Sequence, residues 1–356
     1  MRTLLRPTAF VDSPFGHDGK VARVAGGLNW FAAVELIQVD GHSRVATELV
    51  PVEGIESRFD DDMASQWKAL TGPRAPLLLG ERTIRLDQPQ VMGIVNATPD
   101  SFSDGGQFAD ANGAAEAGAE FSAQGAAIID IGGESTRPGA KLVWEGDEIE
   151  RVIPVISQLV RGGVAVSVDT RKADVMTAAM AAGAQMINDV SALTYDGRSA
   201  GVIAASSVPI VLMHHKGAPE TMQDDPRYDD VLVEVYLWLE ERIAAAERTG
   251  IPRDRILVDP GFGFGKNVAH NLELMNGLAL FHSLGCPIVV GASRKRTIGA
   301  LSNEAPVDKR LGGSIAFALK AAEQGAQIVR VHDVFETVQA LRVWRGMRDQ
   351  ALTPRL

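Results

Sequence analysis

Cysteine is almost absent from this 356-residue chain, where Cys286 is the one thiol. An intramolecular disulfide and a cysteine-built metal cage are thereby excluded, and the usage fits a reducing, cytoplasmic setting. That thiol precedes Pro287 at the head of an apolar run, which assigns it to packing. No stretch approaches 18 uninterrupted apolar residues, so no membrane-spanning helix is expected. The opening MRTLLRPTAFVDSPFG lacks a sustained apolar segment, and no secretory signal is expected. A basic excess is missing as well. The net charge of −10 argues against nucleic acid or an anionic membrane as a partner. Internal repeats and low-complexity tracts are also absent. What is present is a globular composition, 46% hydrophobic and 22% charged, long enough for one large domain or two ordinary ones.

From residue 91 onward, short apolar runs alternate with longer alanine-rich amphipathic stretches. The pattern predicts strands at 91–95, 127–131, 165–168, 186–188, 210–213, 256–258, 288–290 and 328–331. Between and after them it predicts helices at 111–124, 146–160, 172–182, 198–206, 228–249, 267–284, 309–324 and 335–349. Gly125, Gly183, Gly250, Gly285 and Gly325 each follow a helical pattern, where a left-handed residue ends the helix. Eight βα units in about 260 residues predict a (β/α)8 TIM barrel. The competing doubly wound sheet rarely keeps eight regular units. Residues 1–85 stand outside this rhythm, with scattered aromatics (Phe10, Phe15, Trp30, Phe31, Phe59, Trp67), a strand-like 32–39 and the acidic Asp60, Asp61 and Asp62. They read as a small N-terminal α+β extension without identifiable chemistry, ahead of a barrel at 86–356. Residues 72–76 form part of the connection, and 80–89 read as a short strand or hairpin closing the barrel floor.

Polar residues collect where each strand should end, the face on which barrels carry their chemistry. The first is VMGIVNATPDSFSDGG at 91–106, a buried strand turning into a loop of carboxylates, hydroxyls and an amide with no basic residue. Such a loop suits a hard cation such as Mg²⁺ and the phosphates that accompany it, although a merely polar surface loop has the same composition. The second is DIGGESTRPGA at 130–140, in which Gly132 and Gly133 permit close backbone approach and Ser135, Thr136 and Arg137 offer donors to an anion. The third is the set Asp169, Asn188 and Asp259, on three different strands. Two carboxylates and an amide match a heterocycle with an amidine-like edge, such as a 2-amino-4-oxo pterin. Aspartates at such junctions also cap helices, so each one alone stays ambiguous. GASRK at 291–295, RVHDV at 330–334 and DPGFGFGK at 259–266 complete the list. Arg330 and His332 are two apart and share a strand face, while Val331 packs outward. Phe262 and Phe264 read equally well as core. His214 and His215 are adjacent and face opposite ways, so joint metal ligation is not expected. Arg137, Arg171, Lys266, Arg294, Lys295, Arg296 and Arg330 all fall on the same face of an acidic protein, which points to an anionic substrate.

Taken in order, these segments resemble the dihydropteroate synthases, over about residues 85–350. NATPDSFSDGG and GGESTRPGA are similar to that family's two signature loops, and DPGFGFGK, GASRK and RVHDV match its later motifs in register. Ala97 stands where valine is usual, and HHKG at 214–217 is an atypical end for the fifth strand. The resemblance implies condensation of 6-hydroxymethyl-7,8-dihydropterin diphosphate with 4-aminobenzoate, giving 7,8-dihydropteroate and diphosphate by an SN1-like, Mg²⁺-assisted route in folate biosynthesis. It implies that Asp169, Asn188 and Asp259 hold the pterin edge, with Lys295 on the O4/N5 side and Arg330 against the ring face. Asn96, Thr136, Arg330 and His332 would take the diphosphate, and Asn96 the Mg²⁺. Phe102, Asp104, Arg137, Pro138 and Ser293 would enclose the aminobenzoate, with 100–106 as a lid. It further implies a homodimer and sensitivity to sulfonamides. A methyltetrahydrofolate-dependent methyltransferase shares the pterin barrel but has no need of Thr136, Arg330 and His332 as a diphosphate set. An inactive pterin-binding paralogue is the non-catalytic alternative.

Overall fold

The computed structural model describes residues 1–97, 111–134, 142–217 and 221–353. Strands β1 (Arg2–Val11), β2 (Ala22–Arg23), β3 (Trp30–Asp40) and β4 (Ser43–Pro51) form an antiparallel sheet with β3 at its centre. Helix α1 (Asp61–Thr71) covers one face. It starts at Asp60, whose carboxylate accepts from the Met63 N–H at 2.8 Å, so the acidic cluster is a helix cap and first turn. Period-two alternation gives the sheet two buried faces. Leu5, Val34 and Leu36 join Met63 and Leu70 in a local core, while Leu4, Ile37 and Val39 join the main core with Tyr236 and Phe281.

Eight parallel strands follow: β7 (Gln90–Asn96), β8 (Ile128–Gly132), β9 (Val166–Asp169), β10 (Met186–Asp189), β11 (Ile210–Met213), β12 (Ile256–Asp259), β13 (Val289–Val290) and β14 (Ile328–Val331). Each pairs with its neighbour in sequence, β14 pairs with β7, and a parallel bridge between Val258 and Ile288 closes the ring. The expected barrel is therefore closed, with helices α2 (Ala111–Gln124), α3 (Glu145–Arg161), α4 (Ala173–Ala181), α5 (Ser199–Ala204), α6 (Val231–Arg248), α7 (Val268–Gly277), α8 (Arg296–Leu301), α9 (Leu311–Glu323) and α10 (Val334–Ala351). The five helix-ending glycines all have positive φ, as their positions predict. No described helix is long and apolar enough to cross a membrane.

Two sequence expectations change. The helix expected at 267–284 is α7 followed by a 3-10 segment, Leu278–Leu284, whose seven residues are all buried. They lie between the barrel and the N-terminal sheet, where the one-sided apolar stripe of an ordinary surface helix has no use. The floor element begins earlier than expected, as a hairpin of β5 (Leu77–Leu79) and β6 (Arg82–Ile84). Leu77, Leu79, Ile84 and Leu86 meet Met92, Ile128, Met186, Val211, Leu257, Val289 and Ile328 inside the barrel. Because strand side chains alternate, the inward residues above that apolar layer are Asp130, Asn188, Asp259 and Arg330 two positions on, and Asp169 four beyond Ala165. The floor thus sets the register of the mouth.

The N-terminal sheet is tied to the barrel by polar contacts as well as apolar ones. Arg2 reaches Glu240 at 2.6 Å, Arg44 reaches Asp230 at 2.8 Å, and the Asn29 amide donates to the Ala322 carbonyl at 2.7 Å. A chain beginning at Pro76, which keeps the floor hairpin, should expose Tyr236 and Phe281 and aggregate or melt at least about 10 °C lower. Scanning calorimetry decides it, and an unchanged melting temperature would show the extension to be dispensable for stability.

Candidate active site

The mouth is organised by a buried charge network. Arg330, two residues above the floor position Ile328, donates from Nε to Asp130 at 2.6 Å and from a terminal nitrogen to Asp169 at 2.6 Å. The Asn188 side-chain amide donates to the same Asp130 oxygen at 3.0 Å. Four strands are therefore joined across the barrel interior. Burial by itself lowers the Arg330 pKa, but Asp130 and Asp169 outweigh it and hold the guanidinium firmly protonated. Burial pushes the Asp169 carboxyl above its usual range, with Arg330 opposing and Asp130 adding to the shift. Asp259 is pushed up to about 6, mainly by burial, and the Gly261 N–H at 2.7 Å and Lys295 pull the other way.

Two glycines border this mouth. A Cβ on Gly132 would lie 3.8 Å from Asn96 Oδ1 and from the Asp169 side chain, and one on Gly291 would lie 3.6 Å from Asp259 Oδ2. Asn96 ends β7 half-buried, on the inward face. Beyond β14, the Ser293 hydroxyl accepts from the His332 backbone N–H at 3.2 Å and lies 3.1 Å from His332 Nδ1. The Ser293 hydroxyl thus holds the His332 ring through Nδ1. Burial first, then Arg330, Arg294 and Lys295, press the His332 pKa down to about 3, so the imidazole is neutral.

The β12–α7 loop is fastened to the end of β11. A side chain at Gly261 would place Cβ 1.8 Å from the His214 carbonyl oxygen, and φ there is +71°. Only glycine permits that approach. Lys266 is buried beneath the loop and donates to the Gly261 and Phe264 carbonyls at 3.0 and 3.1 Å, with His214 Nδ1 at 2.8 Å. Burial lowers its pKa far below the ordinary lysine range. Phe262 is core, as one reading allowed, but Phe264 is not: the Lys295 ammonium sits 4.2 Å from its ring centroid. His214 and His215 both contact Trp238 edge-on, and among the described residues no three acidic, histidine or cysteine side chains gather as a metal site.

The cationic mouth expected from the sequence is compensated in part. Arg330 is paired as above, Arg294 with Asp333, and Arg171 with Glu134 at 3.2 Å while stacking 4.1 Å from Tyr195. Lys266 is spent on carbonyls. Cations buried as deeply as Arg330 and Lys266 require partners, which a count of residues on one face does not register. Thr136, Arg137, Pro138, Phe102 and Asp104, with the lid expected at 100–106, lie outside the described residues.

Asp130 and Lys172 were not assigned roles from the sequence. Lys172 donates to Glu148 and to the Val143 carbonyl, each at 2.6 Å, and reaches Glu134 at 3.2 Å. Glu134 in turn accepts from the Val143 N–H at 3.0 Å, so the two stems flanking residues 135–141 are held together. A carboxylate inside the apolar run at 127–131 was a usable signal for Asp130, because a charge on a strand buried on both faces requires a counter-charge.

A protein-family model described as pterin binding enzyme matches residues 92–332. The dihydropteroate synthase of Escherichia coli (strain K12) is 48% identical over 262 residues, which is 73% of this chain and 92% of that protein. A solved dihydropteroate synthase from Xanthomonas albilineans with 4-aminobenzoic acid superposes with a TM-score of 0.74 at 49% identity, covering 79% of this chain and 100% of that one. A Yersinia pestis dihydropteroate synthase in a sulfonamide drug complex gives the same TM-score at 45% identity, covering 77% and 99%.

Proposed function

The chain belongs to the dihydropteroate synthases among the pterin-binding enzymes, which are transferases, and we propose that it condenses 6-hydroxymethyl-7,8-dihydropterin diphosphate with 4-aminobenzoate. The observation that carries this reading is the set Asp169, Asn188, Asp259, Lys295 and Arg330, all converging above one barrel floor in a chain nearly half identical to a synthase. Asp259 and Asp169 accept from the ring N–H and exocyclic amine, Asn188 donates and accepts, Lys295 reaches the O4/N5 side, and Arg330 lies against the ring face. The methylene C–O bond breaks, diphosphate leaves, and the arylamine nitrogen forms the new C–N bond and loses a proton. No protein nucleophile is needed, because the dihydropterin delocalises charge at the methylene. The buried carboxylates stabilise that cation.

Asn96, Thr136, Arg330 and His332 bind the diphosphate, with His332 as a neutral imidazole. Phe102, Asp104, Arg137, Pro138 and Ser293 surround the aminobenzoate. Mg²⁺ keeps several waters and takes one or two protein oxygens beside substrate phosphates, and the donor set here fits that habit: Asn96 offers one oxygen at the mouth. Once bound, the ion would neutralise charge on the leaving group. A cytoplasmic homodimer and inhibition by sulfonamides in competition with 4-aminobenzoate belong to the same proposal, and light scattering and inhibition kinetics test them.

The direct test measures diphosphate release and 7,8-dihydropteroate formation with and without 4-aminobenzoate. Product that forms only with both substrates is expected, and no turnover with either would overturn the reading. A pH effect follows from Asp259. Its carboxylate, like that of Asp169, which burial raises to about 7, must be ionised to accept from the pterin, so affinity for the pterin substrate should begin to fall below about pH 7 and steepen beyond tenfold per unit below about 6. Calorimetry from pH 5 to 8 checks this, and a flat profile would remove Asp259 from the pterin edge.

A further inference from the structure

An asparagine amide is an ambiguous recognition element, since a side chain free to turn over offers a donor or an acceptor at the same place. If Asn188 reads a pterin edge, something must fix its order. The candidate is Asp130, fully buried in β8 and two residues above the floor residue Ile128. One oxygen of its carboxylate accepts from Asn188 Nδ2 at 3.0 Å and from Arg330 Nε at 2.6 Å. Nδ2 is thereby committed downward, leaving Oδ1 and the second N–H in a set order. The same oxygen aims the Arg330 guanidinium, whose terminal nitrogen then reaches Asp169. The other Asp130 oxygen has no hydrogen-bond partner among the described residues, so the carboxylate is held by these two donors.

We propose that Asp130 is a positioning residue of the pterin site, whose accepting oxygen orients the Asn188 amide and the Arg330 guanidinium together. The inference rests on the pterin reading of Asn188 and Arg330 given above. The competing role is bulk neutralisation of Arg330, in which charge matters and the accepting oxygen does not. Asp130→Asn and Asp130→Leu separate the two, because an asparagine oxygen can still accept from both donors but carries no charge, whereas leucine offers neither.

Affinity for the pterin diphosphate is read by calorimetry, and the KM for 4-aminobenzoate at saturating pterin by steady-state kinetics. Expected are a loss of tenfold or more for Asp130→Leu, a loss under tenfold for Asp130→Asn, and a 4-aminobenzoate KM within twofold of wild type in both. A loss under tenfold in Asp130→Leu, a loss of tenfold or more in Asp130→Asn, or a 4-aminobenzoate KM displaced with the pterin affinity would each overturn the proposal. Should Asp130→Leu fail to fold, Asp130→Ser replaces it with a polar group too short to reach Asn188, under the same thresholds. Failure of that variant as well would assign Asp130 to folding alone and overturn the proposal. Wild-type protein that binds no pterin diphosphate would instead defeat the functional reading, before any variant is compared.

Discussion

Methionine in place of Arg330 should destabilise the protein by roughly 3–5 kcal/mol and reduce kcat/KM by at least about 10³-fold. The two losses have one cause. Arg330 is the cation bonded to Asp130 and Asp169, and both carboxylates are buried. Removing it leaves two like charges in a low-dielectric interior without a counter-ion, so one must take up a proton or the strands must part. In a chain of this size the cost corresponds to about 4–7 °C of melting temperature. The catalytic loss is separate in origin, because Arg330 is also assigned to the pterin face and the diphosphate. Thermal melts and steady-state kinetics on the same preparation distinguish them. A variant as stable as wild type would mean that the carboxylates find other partners, and the account of the network given above would be wrong.

Asparagine in place of Asp259 should have the opposite effect on stability and an equally large one on function. The folded carboxyl titrates at about 6 against an ordinary value of 3.8, so the folded state binds more protons between those limits. The group's contribution is therefore most favourable below the lower value and is lost as pH rises through the upper one. At neutral pH it is a penalty on the order of 3 kcal/mol. Asparagine carries no such penalty and can still accept from the Gly261 N–H, so the melting temperature at pH 7.5 should rise by about 3–6 °C. Pterin affinity should meanwhile fall roughly 10²–10⁴-fold, because two charge-assisted acceptor contacts are lost. Unchanged affinity would falsify the assignment of Asp259. A lower melting temperature would show that Lys295 and Arg330 already offset its burial.

Much of the barrel is legible in the sequence because its signal is local. Each β-strand is a short apolar run, five of the predicted helices are followed by a positive-φ glycine, and the period of two carries Asp169, Asn188, Asp259 and Arg330 to one mouth without reference to distant residues. What resisted reading is pairwise and long-range. Asp130 and Arg330 meet across the barrel from opposite ends of its sequence, and nothing near either residue marks the other. Lys172, the first residue of the expected helix 172–182, closes a buried cluster with Glu134 and Glu148. Helix α8 has six residues, too few to show a period. The expected excess of positive charge at the mouth is reduced for a related reason. A linear chain displays its charges one by one, while the interior admits them only in pairs.

The floor hairpin has a consequence for how the molecule is made. Its residues, Leu77 to Leu86, leave the ribosome just ahead of β7, whereas β14, which supplies the second neighbour of β7, is the last described strand to emerge. The nascent chain therefore holds its plug, and an N-terminal sheet with a core of its own, before any ring exists to receive them. With the first and last strands paired so late, one edge of a half-built parallel sheet must wait exposed through most of translation. A plug already joined to the first strand offers that waiting sheet an apolar surface to collect on, so the barrel is wrapped around its base instead of being stoppered afterwards.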